Sequence, residues 1–177
     1  MSDDPPGPLI AVELAHEAWR NTLPEVEALV CRVGAMALAA GAAATDLADH
    51  TGRMEVSLVL GDDAAVRTLN HRYRGHDTPT NVLSFAALDA ASPMPADGPL
   101  LLGDVVIAYE TTVAEAARDG RTVPHHLSHL VVHGVLHLLG YDHEDDDEAD
   151  AMESLEIALL ATLGIADPYA TDNDEEP

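Results

Sequence analysis

The segment HGVLHLLGYDH, residues 133–143, constrains the fold of this 177-residue chain more than any other stretch. His133 and His137 are four positions apart, so a helix puts both imidazoles on one face, one turn from each other. Gly140 follows and can take the left-handed conformation that ends a helix. That turn can bring His143 round to the same point. The chain must therefore hold an apolar helix bearing two histidines, closed by a glycine turn that returns a third. Three neutral imidazole nitrogens with a fourth position open is a catalytic zinc arrangement, whereas structural zinc sites are usually closed. His133, His137 and His143 are thus the expected ligands of one metal ion per chain. Zinc is the expected ion, although imidazole suits other divalent metals too.

The spacing agrees with the zincin pattern H-E-x-x-H-x-x-G-x-x-H in its histidines and its glycine. It departs at Gly134, where that pattern carries its general-base glutamate. Glycine has no side chain, so the spacing argues for a zincin-like metal-site helix and against a peptidase mechanism. Of the ten histidines, six lie between His125 and His143. His129, one turn before His133, reads as a pocket residue or a partner of a ligand. His125 and His126 read as exposed first-turn residues. A carboxylate in the run Glu144–Glu148 can hydrogen-bond an imidazole N–H. The simpler reading of that run is acids at the positive end of a helix dipole.

Hydropathy patterning supplies the rest of the architecture. Leu9–Leu14, Met54–Leu60, Val82–Phe85 and Leu101–Ile107 read as strands. Helical spacing appears from Pro24 to Gly41, after Asp63, from Thr111 to Ala117, through His125–Leu139, and along Met152, Leu155, Leu159 and Leu163. About four strands and about five helices, with strands early and helices late, make a single α+β domain with a mixed sheet. Its expected bounds are 9–169, with a disordered lead at 1–8 and a disordered acidic tail at 170–177; the chain is expected to be loose from Asp167. Ala86–Pro99, which holds Ser92, Pro93, Pro95 and Gly98, reads as a loop. Cys31 is the one cysteine, which excludes an intrachain disulfide and a Cys-rich zinc site, and it reads as a core residue. The N-terminus lacks the basic start and apolar stretch of a signal peptide. The apolar run Ala28–Ala44 is interrupted by Arg32 and too weak for a membrane span. A cytoplasmic protein with no membrane partner is expected.

Charge narrows the partners. The chain has 32 acids and 8 basic residues, a net charge of −24, and every basic residue is arginine. Such a surface excludes a general nucleic-acid binder, DNA included. With 3% aromatics the chain also lacks the platforms for stacking single-stranded bases. Yet 13 of the acids, and no arginine, fall in residues 144–177, after the last of the three histidines. Between Arg67 and His76 there are three arginines and no acid. Arginine forks match phosphate oxygens bidentately, and Arg74, at a helix-to-loop junction beside Gly75, is the most suggestive. Arg67 and Arg72 fit a solvated helix face.

HGVLHLLGYDH together with YRGHDTPTNVLSF, residues 73–85, resembles the YbeY family of bacterial endoribonucleases and ribosomal RNA maturation factors. Further likeness lies in LLGDVVIAYE (101–110), EDDDEADAME (144–153) and GIADPY (164–169), so it spans residues 50–169. The resemblance implies a single-domain α+β fold holding zinc through His133, His137 and His143. It implies catalytic roles for Arg74, in the metal cleft, and for His133. Arg72, Asp104 and His129 are candidate substrate or pocket residues, Asp104 alternatively facing a partner. The implied activity is single-strand-specific, metal-dependent RNA cleavage in 16S rRNA 3′-end maturation and ribosome quality control. Precursor 16S rRNA, small-subunit ribosomal proteins and a ribosome-assembly GTPase are the implied partners. The rival readings are a metal-stabilised, non-catalytic ribosome assembly factor and a metallopeptidase or amidohydrolase.

Overall fold

A computed structural model describes residues 7–87 and 98–170. The expected lead up to residue 6, positions 88–97 of the expected loop, and the tail from 171 lie outside the described residues. Four apolar segments pair into one sheet: β1 (Leu9–Leu14), β2 (Met54–Gly61), β3 (Val82–Ala86) and β4 (Leu100–Ala108). Their order is β1-β2-β4-β3; β1 and β4 run parallel to β2, and β3 lies antiparallel to β4 at one edge. Parallel neighbours need crossover connections. Between β1 and β2 these are α1 (Ala18–Thr22) and α2 (Val26–Ala43); from β2 to β4 the chain passes through α3 (Asp63–Arg74) and then β3. After β4 come α4 (Tyr109–Arg118), α5 (Val123–Leu138) and α6 (Asp146–Thr162).

Among the described residues six α-helices stand where about five were expected, and a short 3-10 turn at Asp46–Asp49 adds to them. The additional helix, α1, has five residues and no periodicity to read. It exists because Trp19 is fully buried and its indole N–H donates to the Gly61 carbonyl at 2.9 Å. Cys31 also departs from expectation. It lies on α2 but is exposed, because the buried stripe of that helix runs through Val26, Val30, Val33 and Ala37. With 18 residues and a mean hydropathy of 1.6, α2 is long and apolar enough to cross a membrane, but here its stripe packs into the core.

The main core lies between one sheet face and α2, α5 and α6. Leu58 and Leu60 of β2, with Val105 and Ile107 of β4, point into it. On the opposite face Val66 of α3 covers Leu83, Val106 and Ala108. Two close approaches set α5. Its crossing with α2 is tight at Gly41, where a Cβ would come within 2.5 Å of Leu139 Cδ1. Against the sheet it is tight at Gly134, where a Cβ would lie 2.6 Å from Val105 Cγ1.

A bulge in β4 decides which side chains face which layer. The register with β2 shifts between Glu55 and Val56, so Leu102 has no partner and Gly103 pairs with Val56. Leu100 and Leu102 are buried before the shift, and Val105 and Ile107 after it, so the inward parity changes from even to odd. Gly103 makes this possible at φ +139°, where a side chain would also run into the Phe85 carbonyl. Asp104 therefore lies on the outer face, opposite Phe85.

Candidate metal centre

α5 begins at Thr122, whose hydroxyl accepts from the His125 N–H, with Pro124 in the first turn. It ends where Gly140, at φ +96°, turns the chain back; the N–H groups of Gly140 and Tyr141 donate to His137 and Leu136. Tyr141 then ties the turn down through a 3.1 Å bond from its hydroxyl to the Gly41 carbonyl. Asp142 and His143 follow on this anchored turn, and the Asp142 carboxylate accepts from the His143 N–H at 2.7 Å.

His133, His137 and His143 are thereby brought together, with one nitrogen of each within 4.8 Å of the others. The Nε2 atoms of His133 and His137 are 3.0 Å apart. Ligands at 2.0–2.1 Å from a tetrahedral zinc would be about 3.3 Å apart, so little adjustment separates this pair from coordination geometry. The His143 ring stacks on His133, centroids 5.2 Å apart. Burial pushes the His137 pKa down, and the neighbouring His133 and His143 push it further, which keeps the ring neutral and fit to donate a lone pair.

The carboxylate that orients this group is Glu156 of α6. It is fully buried, and its Oε1 accepts from His133 Nδ1 at 2.7 Å. That bond leaves the His133 Nε2 lone pair facing its partners. On the other oxygen Glu156 accepts from His129 Nε2 at 3.1 Å and from the Tyr169 hydroxyl. Burial alone would raise the Glu156 pKa; the hydrogen bonds from His129, His133 and Tyr169 outweigh it and hold the carboxyl at about 2. No bond links residues 144–148 to an imidazole among the described residues. Asp145 instead caps α6, accepting from the Glu148 N–H at 2.8 Å. Glu156 carried one sequence signal: an acid four residues after Met152 and three before Leu159, within the buried stripe of α6.

The three histidines line one side of a cleft of about 480 Å³, with Arg74, Asn81, Ser84 and Asp142 among its other walls. Arg74 is the last residue of α3, which Gly75 closes at φ +72°. Its guanidinium is exposed and makes no ion pair among the described residues. Ser84 points inward from β3 and donates to the Gly134 carbonyl at 3.1 Å, which ties the edge strand to the histidine helix. Asn81 is held from behind, its amide donating to Glu115 at 3.1 Å. Glu115 in turn meets His126 Nε2 at 2.7 Å. His126 is thus buried, not an exposed first-turn residue, and burial pushes its pKa down against the pull of Glu115.

Other candidate residues lie outside the cleft. Arg72 stacks over the Tyr73 ring, 5.3 Å from its centroid, and Asp104 borders a groove on the outer sheet face with Tyr73 and Phe85. His129 faces Glu156 and Tyr169 behind the histidine group. Arg67 is neutralised by Asp77 through a two-pronged bond of 2.8 and 3.1 Å. The three-arginine cluster therefore puts one guanidinium, that of Arg74, at the cleft. Residues 167–169 are not loose: Tyr169 reaches Glu156, and the Arg121 guanidinium donates to the Pro168 carbonyl.

Fold and cleft together define a class: single-domain α+β proteins whose zincin-like helix and following turn present a three-histidine group able to hold a metal ion. The sequence profile of the endoribonuclease YbeY family matches residues 21–164, which contain both motif segments. A protein named endoribonuclease YbeY from Paramagnetospirillum magneticum is 56% identical over 161 residues, covering 90% of this chain and 94% of its own. Proteins of that name from Rhodospirillum rubrum and Rhodopseudomonas palustris strain BisA53 are 56% and 52% identical, covering 91% and 92% of this chain and 81% and 91% of their own. The chain belongs to the endoribonuclease YbeY family.

Proposed function

We propose that this chain is a zinc-dependent endoribonuclease that cuts single-stranded RNA, with precursor 16S rRNA as its substrate in 3′-end maturation and ribosome quality control. The observation that carries the reading is the pairing, across one cleft, of three convergent imidazoles with an unpaired arginine. Family membership and the shared name of its relatives support RNA as the polymer. His133, His137 and His143 would hold the ion, and the donor set fits: neutral nitrogens, one oriented by a buried carboxylate. The chemistry such an ion supplies when bound is Lewis acidity, polarising a phosphoryl oxygen and acidifying water. Arg74 binds the scissile phosphate and stabilises the charge that grows on it. Asp142 is a carboxylate on the cleft wall and would serve as the proton acceptor. Ser84 and Asn81 shape the floor on which the sugar–phosphate chain lies.

The peptidase alternative loses ground at Gly134. Glycine itself offers no base there, and a Cβ would lie 2.6 Å from Val105 Cγ1, which leaves no room for a glutamate without moving the helix. With one unpaired guanidinium at the site and a chain charge of −24, RNA affinity must come largely from protein partners. Small-subunit ribosomal proteins and a ribosome-assembly GTPase, met in the cytoplasm, are the partners this reading takes. The test is Arg74→Ala, with bound metal and cleavage of a single-stranded RNA measured on the same preparation. Cleavage should fall by about 10²–10³-fold, as on removing one charge-stabilising donor, while metal content stays at the wild-type level. Unchanged cleavage would remove the role given to Arg74.

A further inference from the structure

We propose that Tyr169, carried on the segment after α6, is a positioning residue for the metal centre: its hydroxyl latches Glu156, which in turn sets the metal-facing nitrogen of His133. The proposal rests on the metal-centre reading above. A fully buried carboxylate is costly unless its oxygens are satisfied. Glu156 is 0% exposed and accepts three hydrogen bonds, from His133 on one oxygen and from His129 and Tyr169 on the other. All three donors are used, and each fixes something. His133 must carry its proton on Nδ1, so its Nε2 offers a lone pair towards His137. His129 must carry its proton on Nε2, so it serves the carboxylate and not the cleft. Tyr169 supplies the donor that does not come from α5.

The segment is built to bring that hydroxyl in. Gly164, at φ +74°, turns the chain after α6, and the Ile165 N–H donates back to the Leu160 carbonyl at 2.9 Å. Arg121, just before α5, donates to the Pro168 carbonyl and pins the segment to the start of the histidine helix. Asp167 accepts from the Tyr169 N–H at 2.8 Å, which sets the direction of the side chain. The ring meets His129 edge-on at 5.6 Å. Tyr169 as a residue is 39% exposed, so packing alone does not account for a hydroxyl turned inward onto a buried acid. Without that hydroxyl one carboxylate oxygen keeps His129 alone. The carboxylate can then rotate, and the His133 ring loses its fixed orientation.

The test uses the full chain and its Tyr169→Phe, Arg121→Ala and Glu156→Gln variants. Zn²⁺ affinity is measured by chelator competition, and the ligand field by the d–d absorption of Co²⁺. Glu156→Gln should weaken Zn²⁺ by about 10–100-fold, the usual cost of losing a ligand's orienting partner. Tyr169→Phe should weaken it by about tenfold, the low end of that range. It should also alter the Co²⁺ bands, with the thermal midpoint of the metal-free protein within a few degrees of wild type. Arg121→Ala removes a side chain with no hydrogen bond or ion pair to Glu156, His133, His137 or His143 among the described residues, and should shift both readouts the same way. Wild-type Zn²⁺ affinity and an unchanged Co²⁺ spectrum in Tyr169→Phe would overturn the latch while leaving the metal centre standing. If the wild-type protein bound neither ion, the metal-centre reading would fail and the latch with it.

Discussion

Replacing Gly134 by alanine tests how the histidine helix is seated on the sheet. A Cβ at that position lies 2.6 Å from Val105 Cγ1, 3.2 Å from Val105 Cγ2 and 3.4 Å from Ser84 Oγ. Carbon atoms pack best at about 3.5–4.0 Å, so about 1 Å of movement is needed. Val105 cannot supply it, since it is fully buried and stiff at χ1. The helix itself must lift, carrying His133 and His137 with it. Overpacking of this kind costs about 1–3 kcal/mol, and the rigidity of Val105 argues for the upper end. Alanine returns about 1 kcal/mol over glycine in a helix interior. The net loss is about 2 kcal/mol, a fall of about 4–8 °C in Tm for a chain of this size. Calorimetry on the metal-free protein measures it. A double-mutant cycle with Val105→Ala should show the pair less damaged than the sum of the singles, because the lost methyls make room for the new one. If Gly134→Ala instead stabilised the protein by about 1 kcal/mol, as at an open helix position, the close seating would be refuted.

Four further outcomes follow from the same geometry. The Glu156 pKa is lowered from 4.5 to about 2, so its stabilisation is complete above pH 4.5 and is lost as pH falls towards 2. Unfolding free energies of wild type and Glu156→Gln from urea titration should therefore differ most near neutrality, by up to about 3 kcal/mol, and converge in acid; a gap that is constant with pH sinks the assignment. Burial depresses the His126 pKa, so the unfolded chain takes up a proton that the folded one resists, and stability declines as pH drops below 6.5. His126→Gln should flatten that decline between pH 7.5 and 5.5, and an unaltered slope counts against a neutral buried His126. With Arg74 the one unpaired guanidinium on the cleft among the described residues, RNA affinity should fall only gently with salt. A log–log slope of about −0.7 per phosphate neutralised predicts about −0.7 for this one arginine, and a slope steeper than about −3 would reveal a basic surface not accounted for. His137→Ala should lose bound metal and RNA cleavage together; cleavage that persists without metal would belong to a contaminant.

How much of this was legible in the sequence depended on the range of the contacts involved. The histidine pair on α5, the glycine turn and the third histidine were readable because i,i+4 spacing and a left-handed glycine are local geometry. Arg74 was readable as well, since Gly75 closes the helix that ends on it. Glu156 was not. It lies 23 residues from His133, and only the packing of α6 against α5 shows that the two meet. His126 was misread for the same reason, because its partner Glu115 belongs to another helix. Tyr169 was expected on a loose tail, but the carbonyl of its neighbour Pro168 accepts from Arg121 across a separation of 47 residues that no periodicity encodes.

The sequence by itself determined an α+β chain with four strands, a histidine-bearing helix that stops at Gly140, and a charge of −24 concentrated after the last histidine. Those properties follow from short-range periodicity, from backbone freedom at glycine and from counting. Only the tertiary structure decided which faces meet. The unpaired residue at Leu102 reversed the parity of β4, sending Asp104 to the outer face and Val105 inward against Gly134. The packing of α6 against α5 buried Glu156 behind His133, with Tyr169 closing over it. A one-residue shift in a strand moves every later side chain to the other face, and a buried acid is tolerable only where distant donors converge on it. Both are set by contacts between segments far apart in the chain.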